Sequence, residues 1–104
     1  MSLRPPSRFS GNSAPEVFFD ALGHEILAEK ASALGRAGAR AEALLARLRA
    51  HEGSGEARGK LVEEAAEAVY GWFIQRELCG LRRHDAVIRE FQIPREILVR
   101  LGAR

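Results

Sequence analysis

The sequence predicts an all-α protein in which two long amphipathic helices form a helical hairpin and a short C-terminal helical hairpin follows. Apolar residues recur at helical spacing over residues 15–50 and again over residues 55–79. A glycine-rich stretch, HEGSGEARG at 51–59, separates the two patterns. No stretch alternates with a period of two for long enough to form a strand. We therefore expect one helical domain over residues 13–104, after a disordered tail over residues 1–12.

The first helix has a clear start signal and two interior glycines. Ser13 can cap it, Pro15 suits its first turn, and Glu16 can complete a capping box. Gly35 and Gly38 each cost about 1 kcal/mol relative to alanine. We expect a continuous helix despite them, because alanine and arginine on both sides favour helix. Its predicted apolar face comprises Phe19, Leu22, Ile26, Ala33 or Leu34, Ala37, Ala41, Leu44 and Leu48.

The second helix shows a regular apolar seam whose steps alternate three and four, as in a helical bundle. Glutamates occupy the side that is predicted to face solvent. Gly80 is a suitable C-terminal cap. The seam comprises Val62, Ala65, Val69, Trp72, Arg76 and Cys79. The residues that widen the buried face are Leu61, Ala66, Ala68 and Phe73. The solvent-facing side comprises Glu63, Glu64 and Glu67.

The same seam predicts a polar cluster, because it directs Arg76 inward beside Trp72. A buried arginine needs a carboxylate and further acceptors, and Glu77 is a candidate partner, with Asp20 and Glu25 on the first helix as others. We expect Trp72, Arg76 and Glu77 to form a buried structural cluster. The alternative is an anion-binding clamp at Arg76.

The C-terminal segment, VIREFQIPREILVRLG, has the pattern of two short helices joined at Ile93-Pro94. Asp85 can cap the first of them, and Pro94 can open the second, which Gly102 closes. A DNA-binding helix-turn-helix has a similar pattern, and Arg95 and Arg100 would then be its DNA contacts. The shortness of the second helix, the Gln in place of a turn glycine, and nearby glutamates weigh against this. We expect the segment to pack over the end of the long helices, with Phe91, Ile93 and Leu98 buried.

Catalytic and metal-binding patterns are absent from the sequence. Asp20 and His24 could supply two metal ligands but lack a third, and no HExxH, Walker or GxSxG motif occurs. Cys79, as the single cysteine, permits no intrachain disulfide and suits a small buried apolar position. We expect no enzyme activity, no metal and no cofactor.

The stretches QRELCGLRR and IREFQIPREILVRLG resemble a small bacterial family of short helical proteins of unknown function. The shared pattern includes Gln75-Arg76-Glu77, Cys79-Gly80 and Ile93-Pro94. The resemblance covers the C-terminal half best and the first helix loosely. It implies a helical fold and a bacterial cytoplasmic protein, and it assigns no catalytic residue.

We base the expected function on the unequal lengths of the two long helices. A single chain cannot cover both apolar stripes, so we expect a homodimer that forms a four-helix bundle and acts as a structural or protein-interaction module. The alternative is a DNA-binding regulator that uses residues 85–102. A net charge of +2 is a weak electrostatic footprint for nucleic acid, which makes such a partner less expected. No apolar run approaches a membrane span, and we expect a cytoplasmic protein.

Overall fold

The computed structural model describes residues 14–102, in which four helices follow one another. They are α1 (Ala14–Ala50), α2 (Glu56–Leu78), α3 (Asp85–Glu90) and α4 (Arg95–Gly102). No strand occurs in this range, so the all-α prediction is confirmed. The predicted tail and the predicted capping residue Ser13 lie outside it.

Helix α1 is continuous through Gly35 and Gly38, as predicted, and its 37 residues extend for about 55 Å. Its buried residues all lie between Ala41 and its C-terminal end: Ala41, Leu44, Leu45 and Leu48. The predicted apolar face continues to Phe19, but its N-terminal half is exposed. The reason is the length of α2, whose end lies level with Lys30, where the Cys79 Sγ is 3.9 Å from the Lys30 carbonyl oxygen. The part of α1 that precedes Lys30 therefore extends past the end of its intrachain partner.

Helix α2 supplies half of the buried core. The apolar part of the predicted seam is confirmed from Val62 to Trp72, and the three predicted surface glutamates are exposed. Cys79, which was expected to be buried, is only half-buried, because the chain turns away there. The buried residues of α2 are Leu61, Val62, Ala65, Ala66, Ala68, Val69 and Trp72.

Trp72 connects α2 to both of its neighbours. On one side its indole lies against α1 at Gly38, where a Cβ atom would stand 3.0 Å from Nε1 and 3.3 Å from Cε2. On the other side it meets the ring of Phe91 edge-on, with 5.1 Å between ring centroids. Gly38 therefore provides the close approach that this packing needs.

Helix α2 ends in a left-handed turn at Gly80, whose φ is 88°. The Gly80 N–H donates to the Glu77 carbonyl (3.0 Å), and the Leu81 N–H donates to the Arg76 carbonyl (2.8 Å). These two bonds satisfy carbonyls that the helix itself leaves unpaired. The prediction of Gly80 as the C-terminal cap is confirmed.

The same motif ends α3, but with Gln92 at the left-handed position. Gln92 has a φ of 50°, its N–H donates to the Arg89 carbonyl (3.2 Å), and the Ile93 N–H donates to the Ile88 carbonyl (3.1 Å). A residue with a Cβ is strained in this region, and glycine is not. The turn between the short helices is thus fixed by backbone hydrogen bonds and by burial of Ile93, which is 5% exposed.

The C-terminal segment runs back along the side of α2, which differs from the expected position over the end of the long helices. His84 stacks on Phe73 near the end of α2, and Glu96 bonds Arg58 near its start. An antiparallel course lets one short segment contact α2 along most of its length. Ile97, which the sequence reading did not single out, is fully buried.

Two details of the C-terminal segment also differ from expectation. Phe91 and Leu98 were expected to be buried and are half-buried, whereas Ile93 is buried as predicted. Asp85 is the first residue of α3 and His84 holds the N-cap position without a side-chain capping bond, so the predicted cap at Asp85 is wrong. Pro94 does open α4, since its carbonyl accepts from the Ile97 N–H at 3.0 Å.

The close approach at Gly38 predicts opposite effects for two glycine-to-alanine changes in α1. Gly35→Ala should raise the free energy of unfolding by about 1 kcal/mol, because a Cβ there meets open space and alanine favours helix. Gly38→Ala should lower it by about 1 kcal/mol or more, because Trp72 is held by Phe91 and cannot move away freely. Urea unfolding of both variants measures this. Equal stabilisation by both changes would show that the indole shifts without penalty.

The left-handed turn at Gln92 predicts that Gln92→Gly stabilises the fold by about 1 kcal/mol, because glycine removes the Cβ strain at positive φ. Gln75→Gly is the matched control, since Gln75 lies inside α2 and the change should destabilise by about 1 kcal/mol. Thermal or urea unfolding of the pair gives the sign. Destabilisation by both variants would contradict the assigned strain.

Candidate functional site

A polar cluster closes the end of α2 around His84. The His84 ring stacks on Phe73 with 4.1 Å between centroids and 6° between planes. Arg76 donates through Nε to His84 Nδ1 (3.0 Å) and through Nη2 to the Arg83 carbonyl (2.8 Å). Glu77 Oε2 lies 3.0 Å from His84 Nε2. The cluster ties the residues after the Gly80 turn back onto α2.

The hydrogen bonds assign the proton on the His84 ring. A guanidinium has only donors, so Nδ1 must accept from Arg76 and carry no proton. Nε2 then bears the hydrogen and donates it to the Glu77 carboxylate. Both ring nitrogens are engaged, and one ring face is covered by Phe73. This arrangement orients a histidine firmly and leaves it no free nitrogen for acid–base work.

The predicted cluster of Trp72, Arg76 and Glu77 is only partly brought together. Trp72 is buried, Arg76 is half-buried and Glu77 is exposed, so the three do not share one buried pocket. Arg76 bonds an imidazole and a backbone carbonyl, and among residues 14–102 no carboxylate bonds it. The expected carboxylate partner is therefore replaced by His84, with Glu77 one hydrogen bond further away.

His84 was missed because the search for an arginine partner favoured carboxylates. The available signal was the glycine at position 80. A left-handed C-cap reverses the chain, so residues shortly after it return alongside the last helical turn. His84 lies four residues beyond Gly80 and returns to Phe73 and Arg76 in this way.

Arg95 and Arg100 are both exposed on α4. Between them, Glu96 accepts two hydrogen bonds from Arg58, at 2.7 and 3.1 Å. These hydrogen bonds from the Arg58 guanidinium lower the pKa of the Glu96 carboxyl, and burial opposes this lowering. The charge of Arg100 also lowers the pKa of Glu96, although the hydrogen bonds to this carboxylate come from Arg58. The pair fixes α4 against the start of α2.

An uncovered apolar face runs along the N-terminal half of α1. Phe19 is 66% exposed, Ile26 is 52% exposed, and Leu22 between them is 38% exposed. The same side of the helix continues into Ala33 and Ala37, which are half-buried. We call Phe19, Leu22 and Ile26 the uncovered α1 face, because Ala37 packs against the intrachain core. No other helix within the described range lies over these three residues.

On the C-terminal side of the uncovered α1 face, an open groove lies between α1 and α2. The floor is formed by small residues, and two arginines from α1 stand at the margin. The α1 side comprises Ala33, Arg36, Ala37 and Arg40, and the α2 side comprises Glu67, Ala68, Gly71 and Gln75. The groove has a volume of about 380 Å³.

Two further properties concern the described part of the chain. Within residues 14–102, no helix combines the length and the apolarity that crossing a membrane requires. In the same range, no three His, Cys, Asp or Glu side chains converge in a way that could hold a metal ion.

Comparison with known proteins identifies the family. The model of DUF6665, a family of unknown function, matches residues 1–104. The chain belongs to this family. The match confirms the resemblance to a small family of unknown function that the sequence suggested. No curated protein and no solved structure matches the chain significantly.

The Arg58–Glu96 pair predicts a contribution to acid sensitivity. The pKa of Glu96 is lowered in the folded state. The ionised Glu96 carboxylate therefore stabilises the fold at pH values above the usual pKa range of a carboxyl group, and this stabilisation is lost as the pH falls through the lowered pKa. Glu96→Gln should therefore reduce the fall in thermal midpoint between about pH 6 and pH 3. The effect should be small, because the pair is partly exposed. Glu64→Gln, an exposed carboxylate elsewhere on α2, is the control, and an equal change in both variants would contradict the prediction.

Proposed function

We propose that this member of DUF6665 is a homo-oligomeric protein-interaction module rather than an enzyme, and that the uncovered α1 face packs on a second copy of the chain. The observation that carries the proposal is the exposure of Phe19, Leu22 and Ile26 in line with the intrachain core face. Contiguous exposed apolar patches on helices commonly mark interaction sites.

The unequal helix lengths support this proposal. Helix α1 has 37 residues and α2 has 23, a difference of 14 residues or about 21 Å. The α1–α2 hairpin therefore covers only part of α1. A second hairpin placed alongside would extend the cover, and such pairing of two hairpins is a standard route to a four-helix bundle.

The stability of the projecting helix gives a second argument. Short helical segments without tertiary packing are marginal in water, and most helix stability in proteins comes from a buried apolar face. The segment from Ala14 to about Ile26 also contains Gly23, which lowers helix propensity. A partner that covers Phe19 and Ile26 would supply the missing stabilisation.

A second copy is the favoured partner because it offers the same face. In a two-fold dimer each exposed residue contributes twice, so one apolar stripe supplies both halves of the interface. Burial of a large aliphatic or aromatic side chain contributes about 1.5–3 kcal/mol. Several such residues counted twice are sufficient to offset the loss of freedom on association.

The proposal predicts a mass of twice the 11.5 kDa chain mass at micromolar concentration, measured by light scattering after size-exclusion chromatography. Ile26→Glu should return the mass to that of one chain, because it places a charge in the interface. Circular dichroism should show a lower helix content in that variant, because the projecting segment loses its cover.

Val17→Glu is the matched control. Val17 is also an exposed apolar residue of α1, at 54% exposure, but helical periodicity places it on the opposite side from Ile26. It should leave the mass unchanged. A single-chain mass for the unmodified protein across this concentration range would overturn the proposal, and dissociation by Val17→Glu alone would reject the assigned face.

A further inference from the structure

The groove between α1 and α2 lies on the side of the hairpin that the C-terminal segment leaves open. The segment packs against α2 at Arg58 and Phe73. Helical periodicity places Ala68 and Gly71 on the other flank of α2. A Cβ at Gly71 would meet nothing within 4 Å apart from the backbone of its own helix, so there is free space above this position.

The exposed stripe and the groove are continuous along α1. Leu22, Ile26, Ala33 and Ala37 follow one another at spacings that keep them on one side of a helix. Towards the N-terminus this line carries the large side chains of Leu22 and Ile26. Towards the C-terminus it carries the methyl groups of Ala33 and Ala37, which lie beside the small residues of α2. The face therefore changes from a ridge to a groove along its length.

From this shape we propose that a second copy docks antiparallel, with its α1 ridge in the groove of the first copy, around a two-fold axis that passes near Glu29 and Lys30. This inference rests on the self-association proposed above and specifies its geometry. The axis places Leu22 opposite Ala37 of the other copy and Ile26 opposite Ala33. Each large side chain then faces a small one. A parallel pair would set large residues against large ones and leave both grooves empty.

Charge favours the same arrangement. Between residues 14 and 30 the chain carries four acidic residues and one lysine: Glu16, Asp20, Glu25, Glu29 and Lys30. The groove lining carries two arginines on its α1 side, Arg36 and Arg40, against a single carboxylate on its α2 side, Glu67. Antiparallel docking brings the acidic half of each α1 towards the arginines of the other copy, whereas parallel docking brings like charges together.

The two arginines are available for such contacts. Arg36 bonds Glu29 of its own chain at 3.1 Å, but both side chains are about 70% exposed and the pair can exchange partners. Among residues 14–102, Arg40 takes part in none of the salt bridges.

The helix dipoles favour the same direction. In an antiparallel pair the dipoles of the two α1 helices point in opposite directions, which is the favourable orientation for neighbouring helices.

Cysteine cross-linking in a Cys79→Ser background tests the direction. Glu29→Cys lies near the axis and should cross-link to itself through a short bismaleimide. Leu22→Cys should not, because its two copies would be separated by about 22 Å along the antiparallel helices. A mixture of Leu22→Cys and Ala37→Cys chains should cross-link. Self-cross-linking of Leu22→Cys, or failure of the mixture to cross-link while the protein is dimeric, would overturn the arrangement.

Gly71→Leu tests the groove itself. Leucine fits the open space in a single copy and favours helix, so the thermal midpoint of the isolated chain should not fall. It should block the docked ridge and weaken dimerisation at least tenfold in sedimentation equilibrium. Gly35→Leu is the matched control, because Gly35 also has open space around it but lies on the opposite side of α1. It should leave the dimer constant unchanged.

The outcomes separate the two proposals. A protein that is monomeric before any substitution overturns both of them. A dimer that Ile26→Glu dissociates, but that Gly71→Leu leaves intact, retains the self-association and rejects docking in the groove.

Discussion

The contact of Trp72 with Gly38 is the constraint on which the rest of the fold depends. The indole fills the space that a missing side chain leaves on α1 and, through Phe91, also supports the C-terminal segment. One aromatic residue thereby fixes the spacing of α1 and α2 and the place where the chain returns. A large planar ring suits this role, because it buries much apolar surface with few rotatable bonds.

The two left-handed helix ends decide where the remaining chain goes. The turn at Gly80 reverses the chain so that His84 reaches Phe73 and Arg76, and the turn at Gln92 sends α4 back towards Arg58. Only the first uses glycine. At Gln92 the buried Ile93 and the backbone hydrogen bonds offset the strain of a Cβ at positive φ. The C-terminal segment is consequently held along α2, which leaves the opposite flank of the hairpin open.

That open flank gives the molecule its most distinctive surface. Most small domains arrange their helices so that each apolar stripe meets a partner. Here the apolar line on α1 is exposed from Phe19 to Ile26 and continues into an open groove lined by Ala33 and Ala37. The polar cluster around His84 differs in this respect, since its donors and acceptors are paired within the chain. The proposed activity is therefore assembly, through the face whose apolar groups remain unmatched.

The sequence by itself determined the helices, because periodicity, Gly80 and Pro94 act locally: both long helices, the seam from Val62 to Trp72 and the start of α4 could be predicted. It also indicated that α1 outruns α2. Only the tertiary structure decided that His84 bonds Arg76, that Ile97 is fully buried and that Gly38 receives Trp72. These contacts join residues that lie far apart on different helices or beyond a chain reversal. Local periodicity gives the side of the helix on which a residue lies. Which residue it contacts on another helix depends on the course of the chain through the turns.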